Sequence, residues 1–111
     1  LACAAGLASL EIILSENLVA NSENMGIYLV DKLKSLAGKF NSVKEIRGKG
    51  LMVGIQLASE NAVEIKNKLF EKGYLVGNVG KSIIRLLPPL IVAKQDIDGI
   101  VSTLDGILSE I

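Results

Sequence analysis

The chain has 111 residues, half of them hydrophobic, and its twelve basic residues balance twelve acidic ones. This length predicts one domain with its own core, and the balanced charge gives no overall field for holding a nucleic acid or an anionic membrane. Without histidine the chain has no imidazole catalysis and no histidine metal site, and with one cysteine, Cys3, it has neither an internal disulfide nor a cysteine-based zinc site. We predict no metal site, and the absence of disulfides predicts a cytoplasmic protein.

The first two predicted elements are helices. Residues 1–10 are apolar almost all round, which predicts burial on several sides. The run is too short to span a bilayer and lacks the basic leader of a signal peptide, so we expect the helix to continue a longer chain that supplies its other contacts. It ends near Ser15. A second, amphipathic helix should end at Gly38, with its apolar positions at Leu18, Met25, Leu29, Leu33 and Leu36.

The pattern then changes to that of paired strands. Residues 43–47 and 51–57 are predicted to pair around a tight connection at residues 48–50. In the second strand the large apolar residues alternate, which indicates one face on a core. The opposite face carries Met52, Gly54 and Gln56.

A third helix is predicted to begin at a cap, Ser59 or Asn61, and to end at Gly73. Two short strands, residues 74–76 and 83–87, should flank a turn at residues 77–80. The last helix has an apolar stripe from Ile97 to Ile111, and Gly99 and Gly106 are predicted to lie on its outer face.

This order of elements predicts an α+β fold with a small, mostly antiparallel sheet, because the connections between strands are short. The helices should pack on one face of the sheet. Residues 1–111 form a single unit with no repeat or linker.

Two glycine-containing stretches superficially resemble nucleotide motifs. In residues 48–54 the third glycine is one position too late for a dinucleotide fingerprint, and the stretch leads into a strand. The Gly80-Lys81-Ser82 stretch lacks the earlier glycine of a phosphate-binding loop and also precedes a strand. We interpret both as turn and strand residues.

Arg85 is the main candidate for a binding residue, because it lies in the apolar run of residues 83–87. It is either an edge-strand arginine whose side chain reaches water or a guanidinium that binds a carboxylate through two hydrogen bonds. Arg47 competes for the second role, although its more polar surroundings favour a structural one.

Three stretches together resemble the C-terminal part of class III, pyridoxal-phosphate-dependent aminotransferases. They are LACAAGLASLE (residues 1–11), VKEIRGKGLMVGI (43–55) and IIRLLPPLI (83–91). Their order and spacing match, and the resemblance covers essentially the whole chain. The second and third stretches are typical of the acetylornithine branch, while the ornithine, succinylornithine and 4-aminobutyrate branches have similar segments.

The resemblance implies that residues 1–111 are the C-terminal small domain of a fold-type I enzyme, a homodimer that transfers amino groups between amino acids and 2-oxo acids. The Schiff-base lysine and the other groups that hold pyridoxal phosphate lie upstream in the family, so this chain is expected to hold no cofactor residue and to be inactive alone. Arg85 matches the family arginine that binds the substrate carboxylate. Ala93 stands where relatives often have a threonine helix cap. The alternative is a free-standing α+β module for binding or oligomerisation.

Overall fold

A computed structural model describes residues Leu1–Ile111, which form four helices and one four-stranded sheet. The elements in chain order are α1 (Ala2–Ser15), α2 (Leu18–Lys39), β1 (Val43–Lys49), β2 (Met52–Leu57), α3 (Ala62–Glu71), β3 (Gly77–Val79), β4 (Ile83–Leu86) and α4 (Lys94–Ser109).

The sheet has the strand order β1-β2-β4-β3, and all neighbouring strands are antiparallel. One face is covered by helices: in β2, Val53, Ile55 and Leu57 are at most 3% exposed and join a core with residues of α2, α3 and α4. On the other face Met52 is 63% exposed. The predicted α+β class, with an antiparallel sheet and helices on one side, is therefore confirmed.

Helix α2 buries one stripe, as its spacing predicts, and approaches the sheet through a glycine. Leu29, Leu33 and Leu36 are at most 5% exposed. A Cβ on Gly26 would lie 2.1 Å from the carbonyl oxygen of Gly50. The backbone of α2 is therefore in contact with the backbone of the connection between β1 and β2. The helix ends at Lys39, one residue beyond the predicted end, because the chain becomes extended only at Phe40.

The connection between β1 and β2 is shorter than predicted. Lys49 pairs with Met52, so only Gly50 and Leu51 form the turn. Gly50 has a φ of 57°, which is the conformation that a two-residue type II′ turn requires at its first position. Leu51, at the second position, is 4% exposed and fills the core.

The third strand lies where a turn was expected, and the predicted strand at residues 74–76 is wrong. The amide of Tyr74 donates to the carbonyl of Leu69 at 2.9 Å, which closes α3 and keeps this segment out of the sheet. Gly77–Val79 pairs with β4 instead, and the actual turn contains Gly80, whose φ is 60°.

Helix α4 buries most of the predicted stripe, but Ile111 lies beyond its end and is 49% exposed. The start of the helix is capped by an acidic side chain. The amide of Ala93 donates to Asp96 at 3.0 Å. Gly106 is exposed and a Cβ there would meet nothing. Gly99, predicted to face outward, is half-buried, and a Cβ on it would lie 2.7 Å from the Tyr74 hydroxyl. That part of the prediction is wrong because the segment after α3 folds over this face.

Helix α1 is the least covered element. None of its residues is buried, and it packs against α2. The sequence predicts burial of this apolar helix on several sides, and residues 1–111 do not provide it. No single helix is long and apolar enough to cross a bilayer. The one sufficiently apolar stretch combines α1 and α2, which bend by 62° at the break between them.

Candidate functional site

The stretches that resemble nucleotide motifs are parts of the sheet. Gly48 and Gly54 lie in β1 and β2, and residues 80–82 connect β3 to β4. Neither stretch leads directly into the N-terminus of a helix, which a phosphate cradle requires. Both stretches are turn and strand residues, as predicted.

A row of four residues, one from each strand, crosses the open face of the sheet. Gly54 lies opposite Arg47 on one side and opposite Arg85 on the other, and Arg85 in turn lies opposite Gly77. Because directly opposed residues share a face of the sheet, both arginines project on the side that the helices leave open. We call this set, Arg47, Gly54, Arg85 and Gly77, the open-face row.

The burial of the two residues that flank Arg85 in β4 shows from which face of the sheet its side chain projects. Ile84 is 0% exposed and Leu86 is 3% exposed, so both side chains of β4 that flank Arg85 point into the core. Side chains alternate along a strand, and Arg85 must therefore project from the opposite face, where it is exposed.

A β-bulge brings Arg47 to the same face. The pairing of β1 with β2 shifts between Val43 and Glu45. Val43 is buried against the helices, and strict alternation would place Arg47, four residues later, on that same side. The extra residue of the bulge reverses the alternation, so that Arg47 lies opposite Gly54.

The two arginines differ in their partners. Arg47 donates from Nη2 to Oε1 of Gln56 at 3.3 Å, and its Nε lies 4.0 Å from a carboxylate oxygen of Glu45. Gln56 is itself held, since its amide donates to the Ser82 hydroxyl at 3.2 Å. Arg85 takes part in none of the chain's five ion pairs. Its five N–H donors therefore lack an anionic partner within this chain, and it is the better placed of the two to bind an incoming carboxylate.

A mostly apolar cavity lies elsewhere and lacks the groups that catalysis needs. It has a volume of about 370 Å³ and lies between the segment after α3, the Pro88-Pro89 segment and the start of α4. Its only charged lining residue is Asp96, whose carboxylate already caps α4.

The lysines do not form a cofactor site. None of the ten lysines is buried, and none lines the apolar cavity. A lysine that forms a Schiff base is usually activated by desolvation or by a neighbouring cation in a pocket. The residues present therefore do not fit a binding site for pyridoxal phosphate within this chain.

Gly77 is the member of the row that the sequence did not indicate. The sequence predicts a turn at this position, because glycine and asparagine are typical of turns. Only the pairing with β4 reveals that Gly77 stands beside Arg85.

Comparisons with known proteins agree on one family. The sequence matches the family described as aminotransferase class-III over residues 1–108. An acetylornithine aminotransferase from Caldanaerobacter subterraneus subsp. tengcongensis is 44% identical over 111 residues, which are 100% of this chain and 28% of that protein. An ornithine aminotransferase from Exiguobacterium sp. is 35% identical, over 98% of this chain and 26% of its own length.

The fold agrees with that match. A solved Bacillus anthracis aminotransferase has a TM-score of 0.92 and 35% identity to this chain, covering 99% of it and 28% of the longer protein. The chain thus spans little more than a quarter of the length of these relatives.

Proposed function

The chain belongs to the class-III aminotransferase family and has the fold of the C-terminal domain of fold-type I enzymes, and we propose that residues 1–111 are the small domain of a longer aminotransferase. In that enzyme the domain contributes the guanidinium of Arg85, which binds the carboxylate of the substrate. The observation that carries the proposal is that Arg85 projects from the helix-free face without an anionic partner in the chain.

The proposed reaction is amino transfer from acetylornithine to 2-oxoglutarate, as a step of arginine biosynthesis. A relative named acetylornithine aminotransferase, 44% identical over the whole chain, supports this substrate. An ornithine aminotransferase at 35% identity supports ornithine as the alternative donor. Succinylornithine and 4-aminobutyrate complete the set of alternatives, and all of these molecules carry a carboxylate.

We propose that Arg85 acts by positioning the substrate. A guanidinium binds a carboxylate through two parallel hydrogen bonds, which fix both the distance and the orientation of the bound molecule. Holding the substrate in this way brings its amine to one place in the site and removes the entropic cost of finding that place during the reaction.

The cofactor belongs to the rest of the enzyme. Pyridoxal phosphate, bound by the proposed large domain, supplies the electron sink for the reaction. The chain by itself is proposed to be inactive, because none of its lysines is buried. We also propose that the large domain and the second subunit of a homodimer adjoin this domain, and that the enzyme is cytoplasmic and uses neither nucleic acid nor membrane.

The test of this proposal is the substitution Arg85→Ala in the full-length enzyme. Truncating one partner of a hydrogen-bonded charge pair should lower kcat/KM for the amino acid donor on the order of 10²–10³-fold. Arg85→Lys should restore only part of this loss, since an ammonium group cannot reproduce the two parallel bonds. The absorbance spectrum of the bound cofactor should stay unchanged.

Arg47→Ala is the matched control, because Arg47 is on the same face but is already bonded to Gln56. It should change kcat/KM only a few-fold. Near-normal kcat/KM for Arg85→Ala, or loss of the cofactor from that variant, would contradict the proposed role and direct attention to Arg47.

A further inference from the structure

Arg85 stands between two glycines of the open-face row, and its side chain leans towards one of them. A Cβ on Gly77 would lie 3.4 Å from both Nε and Nη2 of Arg85 and 3.8 Å from its Cβ. A Cβ on Gly54, on the other side of Arg85, would meet no atom of the arginine within 4 Å. The guanidinium therefore lies beside β3 and away from β2.

The same distances show which part of the guanidinium faces β3. The third-nearest atom to the Gly77 Cβ position is Arg85 Cβ at 3.8 Å, so the guanidinium carbon Cζ is no closer than that. A point stacked on the guanidinium plane would lie about as close to Cζ as to the two nitrogens, because both nitrogens are bonded to Cζ. The Cβ position instead lies near the plane, facing the edge formed by Nε and Nη2.

The main chain of β3 covers this edge. A guanidinium offers a carboxylate two parallel hydrogen bonds either from Nε and Nη2 or from Nη1 and Nη2. A carboxylate on the first pair would need the place of the Gly77 Cβ position, which is one bond length from the existing Cα. Nη1 lies on the far side of Cζ from β3, so the Nη1–Nη2 end is the one that the chain leaves accessible.

We propose that Gly77 is a positioning residue for Arg85, because the bare main chain of β3 backs the Nε–Nη2 edge and turns the Nη1–Nη2 end towards the substrate carboxylate. The inference rests on the proposed role of Arg85 and deepens it by naming the two nitrogens that bind. Gly77 touches no substrate and acts through Arg85. A branched side chain at position 77 would compete for the space in which the guanidinium stands.

Two substitutions add side chains of increasing size beside the guanidinium. The φ of Gly77 is not positive, and the alanine Cβ of Gly77→Ala would make an ordinary contact at 3.4 Å. Gly77→Val adds two methyl groups beyond Cβ, which should push the guanidinium from its place. Valine is favoured in strands, so both variants should fold as well as the wild type.

Steady-state kinetics of the full-length enzyme measure the effect. We expect Gly77→Val to raise KM for the amino acid donor roughly tenfold, the effect of losing one charge-assisted hydrogen bond, with a smaller change in kcat. Gly77→Ala should raise KM less. Gly54→Ala is the matched control, because it adds a methyl group on the side of Arg85 where no arginine atom lies within 4 Å, and it should leave KM within about twofold.

A second donor tests whether the effect passes through the carboxylate. A primary amine without a carboxylate makes no use of Arg85, so its kcat/KM should be the same in the wild type and in Gly77→Val. An equal loss for both donors would overturn the inference, as would an unchanged KM for the amino acid donor in Gly77→Val.

A crystal structure of the full-length enzyme tests which nitrogens bind. The enzyme is saturated with N-acetylnorvaline, which is acetylornithine with hydrogen in place of the reacting amine. The carboxylate oxygens should lie about 2.8 Å from Nη1 and Nη2 of Arg85, with Gly77 still beside Nε. A carboxylate bonded to Nε would show that β3 does not cover that edge, and the inference would be wrong.

Arg85→Ala distinguishes this inference from the proposed function. If Arg85→Ala impairs the amino acid donor and Gly77→Val does not, Arg85 binds the carboxylate without support from β3 and only the role of Gly77 is wrong. If Arg85→Ala has no effect, the role of Arg85 fails and that of Gly77 fails with it.

Discussion

Tyr28 joins two helices through a hydrogen bond that affects its own titration. Its hydroxyl donates from α2 to the carboxylate of Asp98 in α4, and Lys32 and Lys94 lie over its ring. The hydrogen bond to Asp98 raises the pKa of Tyr28 above its ordinary value of 10.0, and desolvation and the charge of Asp98 act in the same direction. The folded protein therefore holds this proton to higher pH than the unfolded chain does.

The pH dependence of stability follows from that direction. Below the unfolded pKa the hydrogen bond contributes its full stabilisation, and the contribution is lost as the pH rises through the folded pKa. Tyr28→Phe should be less stable than the wild type at neutral pH, and the difference should vanish at strongly alkaline pH. Urea unfolding of both proteins across this range measures the difference.

Absorbance titration of the phenol gives an independent check, because Tyr74 is the only other tyrosine. Asp98→Asn removes the charge of the acceptor and should return the pKa of Tyr28 towards 10. An unchanged titration in Asp98→Asn would refute the assigned cause.

At the scale of elements, the packing of α2 on the β1–β2 turn depends on Gly26. A Cβ there would stand 2.1 Å from the Gly50 carbonyl oxygen, a distance that requires helix and turn to move apart. Overpacking of this kind costs about 1–3 kcal/mol or more. Gly26→Ala should therefore lower the free energy of unfolding by at least this amount, as measured by urea denaturation.

Gly106→Ala is the matched control for a helical glycine. Its Cβ meets nothing within 4 Å, so only helix propensity applies. The variant should be more stable by about 0.5–1 kcal/mol. If both alanine variants changed stability in the same direction, close approach of α2 to the turn would not explain Gly26.

At the scale of the whole molecule, the exposed surface is unusually apolar along α1. Leu7 and Leu10 are each 60% exposed and Leu14 is 74% exposed, with no buried residue in the helix. Large exposed apolar patches promote association. We expect the chain on its own to self-associate as its concentration rises and to bind a hydrophobic dye.

Polar substitutions in α1 test the source of that association. The double variant Leu7→Gln and Leu10→Gln removes apolar surface that contributes little to this chain's core. It should bind less dye, and analytical ultracentrifugation should find a larger fraction of monomer than in the wild type. Val53→Ala, in the buried core, should lower stability without this shift. A monomeric wild type at high concentration, with no dye bound, would contradict the prediction.

The sequence by itself determined the elements whose signals are local. The apolar stripes of α2 and α4, the alternation in β2 and the glycine at the β1–β2 turn depend on residues close together in the chain, and each was predicted within a few residues. The antiparallel pairs β1–β2 and β3–β4 have short connections, as the sequence indicates. Arg85 was identified from its apolar neighbours and from the family resemblance.

The tertiary structure alone decided what depends on pairing between distant segments. The bulge after Val43 reverses the alternation of β1 and places Arg47 on the face of Arg85. The amide of Tyr74 closes α3, which moves β3 to Gly77–Val79 and sets Gly77 beside Arg85. Strand register is a balance of many weak contacts across the sheet, and a shift of one residue reverses every side chain. For this reason the local sequence pattern identified both arginines, but it did not show which residues lie beside them across the sheet or which groups they bond to.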